Sequence, residues 1–424
     1  MDAIAAKYLG NLPTCERRIE NDSDSTPRVV LLTGSTGSLG SYLLQELINE
    51  SRIHHIYCLN RPGTAPSTAR QKAVSNSRGL NTEFHSKVTF LEGDLAQAHF
   101  SLSKPTYATL LQTVTHTIHN AWPVNFLRPL RYFEPQLQSI RHLVDFCAGS
   151  SQNATLFFTS TIGVAMAWAA MHDEPLPERL LDWSVDPMQG YSQAKLIAER
   201  ILAEASRVSG VRTQICRIGQ VTGPTTREGS WNKGEWFPSM LASSASIGVI
   251  PNHLGPGEQI SWMPVNLLAG VIMDLCFNTP SVDRSYMQTE TSLSEVDSAK
   301  GLILPPANCE IQHVQNPNKT TYSALLPTIL RYMPPHIEQV PFAEWVSRLR
   351  KSKKDPGSNP AIRLLEMWLT LVALGEMDRH FVAMDTTTTA GKSAKLKSMP
   401  AATRELMANY MQQWGYETHS KARL

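Results

Sequence analysis

Long hydrophobic runs, paired cysteines and net charge are all scarce in this sequence, and each shortage narrows the class of protein. No apolar run approaches the length that spans a bilayer, and the N-terminus lacks the hydrophobic segment of a signal peptide. The formal net charge is only +2, which gives no sign of a nucleic-acid or membrane partner. We therefore expect a cytoplasmic protein that binds neither nucleic acid nor membrane.

Cysteine usage points in the same direction. The six cysteines are spread along the chain without a Cys-x-x-Cys pair, and several lie within apolar runs. Scattered thiols of this kind are typical of buried free cysteines in a reducing compartment. We therefore expect no disulfide framework and no metal site.

One stretch near the N-terminus has the pattern of a dinucleotide-binding turn. The apolar run Val29–Leu32 leads into Thr33 and a series of spaced glycines, and an amphipathic run follows at 41–48. In this pattern the first glycine makes a sharp turn, the second lets the backbone approach a pyrophosphate, and the third lets the helix pack on the strand. Free N–H groups at the helix start favour the diphosphate. The predicted cofactor contacts in this turn are Gly34, Ser35, Thr36, Gly37, Ser38, Leu39 and Gly40.

Strand and helix patterns then alternate along the chain. The predicted strands cover 53–59, 87–91, 115–119, 154–159, 211–217 and 309–314. The predicted helices between the early strands cover 66–78, 132–148 and 190–208. This alternation is typical of an α/β protein with a doubly wound parallel Rossmann sheet, whose ligands bind at the carboxyl ends of the strands.

The pattern changes after residue 223. Residues 225–257 are rich in Gly, Ser, Trp and Pro and are predicted to be irregular structure over a pocket, whereas the C-terminal part has helical periodicity. With 42% hydrophobic residues, the 424-residue chain can form one large domain or two interlocked ones. The expected parts are an N-terminal arm or linker at 1–28, a Rossmann domain at 29–223 to which 258–280 and 309–317 return, and a smaller, mainly helical substrate domain at 224–257 and 281–424.

The end of the second predicted strand indicates which nucleotide is bound. An acidic residue at this place usually binds free ribose hydroxyls, but this chain has Asn60-Arg61. A guanidinium can pair bidentately with a 2′-phosphate, which a carboxylate would repel. We therefore predict NADPH as the cofactor, with Arg61 and, as a second contact, Arg70 on the phosphate. A solvated turn residue is the alternative for Arg61, and a turn aspartate is the alternative for Asp94, which could otherwise accept from the adenine amino group.

A second motif has the spacing of a proton donor and its partner. Tyr191 and Lys195 lie at i and i+4 at the start of a predicted helix and so share one face. A tyrosine has an ordinary pKa of about 10, and a neighbouring ammonium lowers this pKa by stabilising the phenolate. Thr161, at the end of the fifth strand, offers a hydroxyl that polarises the same carbonyl. Ser160 is the alternative, but strand alternation lets only one of these two neighbours point inward, and Thr161 is preferred.

These motifs resemble those of the extended short-chain dehydrogenases/reductases. The sequence is more narrowly similar to the thioester reductase domains that end carboxylic acid reductases, nonribosomal peptide synthetases and some polyketide synthases. The phrases that carry this resemblance are Leu31-Leu-Thr-Gly-Ser-Thr-Gly-Ser-Leu-Gly40, Leu59-Asn-Arg61, Leu91-Glu-Gly-Asp-Leu95, His119-Asn-Ala-Trp-Pro-Val-Asn125, Arg217-Ile-Gly-Gln220 and Trp262-Met-Pro-Val265. It extends from about Val29 to near the C-terminus, and the phrase at 119–125 is most similar to fungal synthetases of the adenylation–carrier–reductase type.

The resemblance implies roles for single residues. Thr161, Tyr191 and Lys195 match the catalytic triad of these reductases. The matching cofactor contacts are the glycine turn, Arg61, Asp94 with Leu95, Asn120, Ala121, Gly219 and Gln220. The implied substrate is an acyl thioester on the phosphopantetheine arm of a carrier domain, which NADPH reduces through a hemithioacetal to an aldehyde. Further reduction to the alcohol is left open.

Two departures and two alternatives accompany this resemblance. The sequence has neither a Gly-Gly-x-Ser-like carrier attachment site nor an adenylation segment, so the carrier domain would be supplied in cis by a larger synthetase or in trans. An extended reductase or epimerase that acts on a free carbonyl compound, acyl-CoA or sugar nucleotide is one alternative, although Arg61 counts against an epimerase. A non-catalytic NADP-sensing regulator is the other, although Tyr191 and Lys195 count against it.

Three further groups of residues each allow a functional and a structural interpretation. The aromatic and apolar residues line an acyl pocket or belong to the core; they are Trp168, Trp231, Trp236, Phe237, Met240 and Trp262. The basic run Arg348–Lys354 docks an acidic carrier domain or forms a solvated helix face. His119, which follows a strand, is expected to be a packed histidine rather than a base.

Overall fold

The structure is a computed structural model that describes residues 1–14, 27–84, 86–187, 189–277, 300–352, 355–376 and 384–418. Its strands, in chain order, are β1 (Arg28–Thr33), β2 (Ile53–Asn60), β3 (Val88–Glu92), β4 (His116–His119), β5 (Thr155–Thr161), β6 (Leu180–Leu181), β7 (Thr213–Ile218), β8 (Val221–Thr222), β9 (Val249–Pro251), β10 (Gln259–Ile260), β11 (Met263–Pro264), β12 (Leu302–Ile303), β13 (Cys309–Val314), β14 (Thr320–Thr321) and β15 (Glu338–Val340).

The helices follow the same numbering. They are α1 (Asp2–Leu9), α2 (Ser38–Asn49), α3 (Ser67–Ser77), α4 (Lys104–Thr113), α5 (Glu134–Gly149), α6 (Met166–Met171), α7 (Gly190–Ser209), α8 (Trp236–Ile247), α9 (Val265–Phe277), α10 (Tyr322–Leu330), α11 (Phe342–Lys351), α12 (Leu365–Glu376), α13 (Thr387–Lys392), α14 (Ala394–Lys397) and α15 (Arg404–Gln413).

Within the described residues, seven strands form one parallel sheet in the order β13-β7-β5-β4-β1-β2-β3. The β1 side chains of Val30, Leu31 and Leu32 are fully buried, as expected for a central strand covered on both faces by helices. The chain passes from β1 to β2 on one side, while β4 pairs with β1 on the other, so the strand order reverses between β1 and β4. Ligands of parallel sheets bind at such a reversal. The predicted α/β fold, a doubly wound Rossmann sheet with a helical C-terminal region, is confirmed.

The described chain forms two compact units, each with its own core. The first unit comprises Met1–Gly219, Leu268–Val314 and Met384–Lys397, and the second comprises Gln220–Leu267, Gln315–Ala383 and Ser398–Leu424. The first unit contains the parallel sheet, with α5 and α7 packed on it. The second unit has a core that is rich in aromatic side chains from its helices.

These units differ from the expected domain boundaries at the N-terminus, at 258–267, at 300–308 and near residue 390. Ala5 and Tyr8 of α1, within the expected arm, are buried in the core of the first unit. Residues 384–397, within the expected substrate domain, belong to the first unit, where Thr389 Oγ1 accepts a hydrogen bond from the His313 backbone N–H at 2.9 Å. Periodicity reports local structure, so it did not indicate that α1 and residues 384–397 belong to the first unit. The domain boundaries taken from the sequence stay a prediction.

Helix α8 lies within the stretch that was expected to be irregular, and that expectation is wrong for residues 236–247. Pro238 stands in the first turn, where its missing N–H costs nothing. Ser243 Oγ accepts from the Ala361 backbone N–H, and Ser244 Oγ accepts from Trp345 Nε1, each at 2.9 Å. The serines and the proline, which suggested irregular structure in the sequence, are thus part of a helix in which Ser243 and Ser244 are buried.

Further properties of the described residues concern membrane-spanning helices, metal-binding clusters and disulfides. No helix among them is long and apolar enough to cross a membrane. The same ranges contain no group of three or more His, Cys, Asp or Glu side chains placed to hold a metal ion. Five of the six cysteines lie in these ranges and are buried and free, whereas Cys15 lies outside them.

Candidate active site

The glycine turn after β1 is packed so closely that side chains do not fit in it. Gly34 has φ +75°, a left-handed conformation that favours glycine, and a Cβ there would lie 2.9 Å from the Ala121 Cα. A Cβ on Gly40 would lie 1.9 Å from the Gly34 carbonyl oxygen. These contacts match the sharp turn and the close helix–strand packing that the sequence pattern requires.

Helix α2 begins directly after this turn. Its N-cap is Gly37, and within the described residues no side chain caps it, so the N–H groups of its first turn are open to a ligand. Gly37 and Ser38 are exposed, while Thr36 and Leu39 are half-buried. A tight glycine turn followed by uncapped N–H groups fits the diphosphate of a dinucleotide, because those groups and the helix dipole favour an anion.

The side chain of Thr33 fixes the loop that follows β4. Its Oγ1 accepts from the backbone N–H groups of Asn120 and Ala121, each at 3.2 Å, and lies 2.9 Å from His119 Nδ1. Because the hydroxyl has one proton to give, it donates it to Nδ1, so His119 carries its own proton on Nε2. Burial lowers the pKa of His119 to about 3. His119 is therefore a packed, neutral histidine, and Asn120 and Ala121 lie beside the glycine turn.

The end of β2 separates a buried side chain from an exposed one. Asn60 Nδ2 donates to Ser35 Oγ and to Ser67 Oγ, each at 2.9 Å. The Ser35 side chain therefore stabilises the turn. The contact with the cofactor that is predicted for Ser35 would then be made by its backbone. Arg61, the next residue, is exposed at the carboxyl end of the strand.

Arg70 is engaged with the same turn. Its guanidinium donates to the Arg61 carbonyl oxygen at 2.6 Å and to the Ala65 carbonyl oxygen at 3.0 Å, and it pairs with Glu92 at 3.3 Å. These contacts hold the backbone that carries Arg61. The contact of Arg70 with a phosphate stays a prediction.

Asp94 and Leu95 follow β3 at the same edge of the sheet. Asp94 Oδ1 accepts from the Ala96 backbone N–H at 3.0 Å, so one carboxylate oxygen stabilises a turn. Leu95 packs against the core of the first unit, and its carbonyl oxygen accepts from His142 Nδ1 at 2.8 Å. The turn interpretation of Asp94 is thus realised in the structure, and its contact with adenine stays a prediction.

Gly219 and Gln220 belong to different units. The Gly219 N–H donates to the Val314 carbonyl oxygen at 2.9 Å, which ties the end of β7 to β13. The Gln220 amide nitrogen donates to Glu235 Oε2 at 3.1 Å, and its oxygen accepts from Trp236 Nε1 at 2.7 Å. Gln220 is thus held by side chains of the second unit.

Tyr191 lies in the first turn of α7 and is 7% exposed. The centre of its ring lies 5.1 Å from that of Phe126 and 5.9 Å from that of Phe133, both in edge-to-face geometry. Burial raises the pKa of its hydroxyl, and a hydrogen bond with Thr161 partly opposes this rise. The Tyr191 hydroxyl is therefore protonated near neutral pH.

Thr161 and Ser160 face opposite sides of the end of β5. Thr161 Oγ1 accepts from the Gly163 backbone N–H at 3.1 Å and lies beside the Tyr191 hydroxyl. Ser160 is buried, and its hydroxyl donates to Glu199 Oε1 at 2.5 Å. The structure thus brings Thr161, and not Ser160, together with Tyr191.

Lys195 lies one turn after Tyr191 and is 2% exposed. Its Nζ donates to the Thr159 carbonyl oxygen at 2.6 Å and lies 4.2 and 4.4 Å from the ring centres of Trp122 and Phe158. Such cation–π contacts stabilise an ammonium, the more so where water is excluded. Burial lowers the pKa of Lys195 well below its ordinary value, and Glu199 opposes this fall.

The electrostatics of this pair correct one expectation. From the sequence, Lys195 was expected to lower the pKa of Tyr191, whereas burial dominates and raises it. The reason is geometric, since the ammonium faces two aromatic rings and a backbone carbonyl and lies 5.9 Å from the centre of the Tyr191 ring.

Sequence reasoning missed two buried residues behind Lys195. Glu199 lies one helical turn after Lys195, and Arg217 Nη2 pairs with Glu199 Oε2 at 2.7 Å with both side chains fully buried. Two signals pointed to them: Glu199 repeats the i, i+4 spacing of Tyr191 and Lys195, and Arg217 begins one of the phrases that carry the resemblance.

For the aromatic residues and the basic run, the structure favours the structural interpretation over the functional one. Trp231, Phe237 and Trp262 are buried in the core of the second unit, and Trp168 of the first unit is stacked on His172 at 3.8 Å. Arg348 pairs with Glu344 and Glu338, which is typical of a solvated helix face. Lys353 and Lys354 of the same basic run lie outside the described residues.

Known proteins resemble the chain along nearly all of its length. Residues 32–272, more than half of the chain, match the NAD-binding family described as male sterility protein. The carboxylic acid reductase of Neurospora crassa is 36% identical over 422 residues, which are 98% of this chain and 38% of that protein. The chain thus spans well under half the length of this relative.

Two solved structures share the fold. The terminal R domain from the myxalamid PKS-NRPS biosynthetic pathway has a TM-score of 0.70 at 23% identity, covering 97% of this chain and 96% of that chain. A thiolation-reductase di-domain from an archaeal nonribosomal peptide synthetase has a TM-score of 0.68 at 18% identity, covering 97% of this chain and 80% of that chain.

The family match includes both sequence motifs, since the glycine turn and the Tyr191–Lys195 pair lie within residues 32–272. The geometry adds a parallel sheet with the tightly packed glycine turn at its reversal point. This chain therefore belongs to the NAD-binding family described as male sterility protein.

Proposed function

We propose that the chain is an NADPH-dependent reductase that releases a carrier-bound acyl thioester as an aldehyde. The observation that supports this most directly is that Thr161, Tyr191 and Lys195 converge at the carboxyl edge of the sheet that also carries the glycine turn. The likeness to a carboxylic acid reductase along 98% of the chain supports the same substrate class.

The roles of the side chains follow from their positions. When bound, NADPH supplies the hydride that turns the thioester into a hemithioacetal, which loses the carrier thiol to give the aldehyde. The hydroxyls of Thr161 and Tyr191 hold the substrate carbonyl oxygen, and Tyr191 donates its proton to that oxygen. Lys195 then stabilises the phenolate, so the high pKa that burial gives Tyr191 is offset only while Lys195 keeps its proton.

The exposed apolar side chains in the loop after β4 are evidence that the acyl group of the substrate is apolar. Val124, Phe126 and Leu127 are 66%, 46% and 64% exposed, and the ring of Phe126 contacts Tyr191. Exposed apolar side chains in a row are uncommon on a surface that binds nothing. Their place beside the proposed proton donor fits an aliphatic or aromatic acyl chain.

The proposed partner is a phosphopantetheinyl carrier domain. The archaeal neighbour is a thiolation-reductase di-domain, and the chain corresponds to 38% of the Neurospora crassa protein. We infer that the carrier domain is supplied in cis within a larger synthetase or in trans.

The preference for NADPH is tested at Arg61. We expect Arg61→Ala to lower the ratio of kcat/KM with NADPH to kcat/KM with NADH by about tenfold or more, because a charge-assisted hydrogen bond contributes about 1.5 to 3 kcal/mol. Steady-state kinetics with both nucleotides measure this ratio. Arg52→Ala, which removes a guanidinium next to the opposite end of β2, is the matched control and is expected to leave this ratio unchanged. An unchanged preference in Arg61→Ala would contradict the assignment of the phosphate site.

The reaction itself is tested with synthetic thioesters. We expect NADPH oxidation, followed at its absorbance band, with octanoyl- and benzoyl-pantetheine, and an aldehyde that hydroxylamine traps for mass spectrometry. Methyl esters of the same acids are the matched control and are expected to react far more slowly, because an alkoxide is a poorer leaving group than a thiolate. Turnover of free ketones or sugar nucleotides with none of the thioesters would instead support the small-molecule alternative.

A further inference from the structure

A fully buried ion pair lies behind the proposed active site. Both side chains of Glu199 on α7 and Arg217 on β7 are 0% exposed. Arg217 donates to Glu199 through Nε at 3.1 and 3.2 Å and through Nη2 at 2.7 Å, and Ser160 Oγ donates to Glu199 Oε1 at 2.5 Å. The carboxylate is therefore held in one place by four hydrogen bonds.

The guanidinium is anchored as firmly as the carboxylate. Arg217 Nη1 donates to the Arg179 carbonyl oxygen at 2.9 Å and lies 3.2 Å from His313 Nε2. His313 Nδ1 in turn donates to the Asp385 carbonyl oxygen at 2.9 Å. Since that proton occupies Nδ1, Nε2 is the acceptor for Arg217. Glu199, Arg217 and His313 thus form a rigid chain that runs from α7 to β13.

Stability alone does not account for a pair of this kind. Removing two charges from water costs about as much as their attraction returns, and apolar residues of the same shape often stabilise a fold equally well. A buried pair is therefore expected where its charge serves another group. The neighbour that such a charge can serve is Lys195, one helical turn before Glu199 and itself almost fully buried.

We propose that Glu199, held by Arg217, is a positioning residue that keeps Lys195 protonated in its apolar pocket. This rests on the proposed function, in which the Lys195 ammonium stabilises the Tyr191 phenolate. Thr159 and the rings of Trp122 and Phe158 accept or face the ammonium, but none of them carries a charge. Glu199 supplies the missing negative charge.

The other titratable or charged groups named around Lys195 do not supply this negative charge. They are His119 on β4, Tyr191 on α7, Arg217 on β7 and, behind Arg217, His313 on β13. Burial lowers the pKa of both histidines to about 3 and raises that of Tyr191, so these three side chains are neutral near neutral pH. Arg217 is the cation of the ion pair. None of these four groups supplies a negative charge, which leaves Glu199 as the anion of the set.

Two substitutions test this electrostatic role by their opposite signs. Glu199→Gln keeps the shape and removes the negative charge, so Lys195 is expected to lose its proton at lower pH. Arg217→Gln leaves the carboxylate without its neutralising partner, so Lys195 is expected to keep its proton to higher pH. Glu199→Asp, which retains the charge, is the conservative variant and is expected to stay close to the parent.

The direct readout is the titration of Lys195 in protein labelled with 13C at lysine Cε, with the signal assigned by its loss in Lys195→Met. The kinetic readout is the dependence of kcat on pH. On its alkaline limb, kcat of Glu199→Gln is expected to lie about tenfold below that of the parent, which is equivalent to a shift of one pKa unit. Coinciding titrations in parent and Glu199→Gln, or shifts of the same sign in Glu199→Gln and Arg217→Gln, would overturn the proposal.

A double variant covers the case in which a single variant does not fold. If either single variant fails to fold in thermal unfolding, Glu199→Gln with Arg217→Gln removes both charges together, and its Lys195 is still expected to titrate below the parent. A double variant that titrates as the parent does overturns the inference. The NMR titration needs no turnover, so a parent enzyme inactive on thioesters contradicts the proposed function and leaves this test intact.

Discussion

Replacing Tyr191 by phenylalanine is expected to lower kcat for thioester reduction by ~10²- to 10⁴-fold, the usual contribution of a positioned acid. The reason is that the variant keeps the ring, which packs edge-to-face on Phe126 and Phe133, and loses only the proton that the carbonyl oxygen must receive. The affinity for NADPH should stay close to that of the parent. Single-turnover kinetics together with a fluorescence titration of NADPH measure the two effects separately.

The matched control for this substitution is Tyr107→Phe. Tyr107 lies on α4, and burial raises the pKa of its phenol to about 12, so it resembles Tyr191 in chemistry but lies outside the site. Its loss should leave kcat unchanged. A Tyr191→Phe enzyme that oxidises NADPH as fast as the parent would remove the proposed proton donor and the mechanism with it.

Replacing Gly40 by alanine is expected to abolish tight dinucleotide binding. The added Cβ would lie 1.9 Å from the Gly34 carbonyl oxygen, 2.8 Å from its carbonyl carbon and 3.0 Å from the Ser35 Cα. All three atoms belong to the backbone, so no side chain can rotate away and the turn itself must move. Overpacking of this severity costs about 3 kcal/mol or more, which corresponds to about a hundredfold loss of affinity if it falls on the bound state.

Helix α13 provides the control for this second substitution. Gly391 is also helical, but a Cβ there would meet nothing within 4 Å, so Gly391→Ala should be neutral or slightly stabilising. Chemical denaturation and NADPH titration of both variants separate loss of fold from loss of affinity. Parent-like binding by Gly40→Ala would show that the turn does not form the cofactor cradle.

The sheet could be predicted from the sequence because its signals are local. The strand run before Gly34 and the i, i+4 pattern of α7 depend only on neighbours in the chain. The serine-rich helix α8 was missed because Ser243 and Ser244 are buried by bonds to Ala361 and Trp345, more than a hundred residues away. Polar residues with distant partners look like solvent-exposed ones in a sequence.

Some features of the candidate site could likewise be predicted from the sequence, and others could not. Thr161, Tyr191 and the glycine turn could be named from spacing, and the structure places Thr161 beside Tyr191. Strand alternation predicted that one of Ser160 and Thr161 points inward, and Thr161 was the preferred residue. Whether the pKa of Tyr191 is raised or lowered could not be predicted from the sequence, because the shift depends on burial, which only the folded chain defines.

The pairing of β13 with β7 has a consequence for recombination between related proteins. Cys309–Val314 lies in register with Thr213–Ile218, and residues 384–397 return to the same unit. A crossover placed after residue 219 would take both stretches from the other parent, so β7 would have to pair with a foreign β13. A poor match would expose a hydrogen-bonding edge, which invites aggregation. Chimaeras that exchange only the second unit must therefore carry several junctions and retain residues 309–314 and 384–397 from the parent that supplies the sheet.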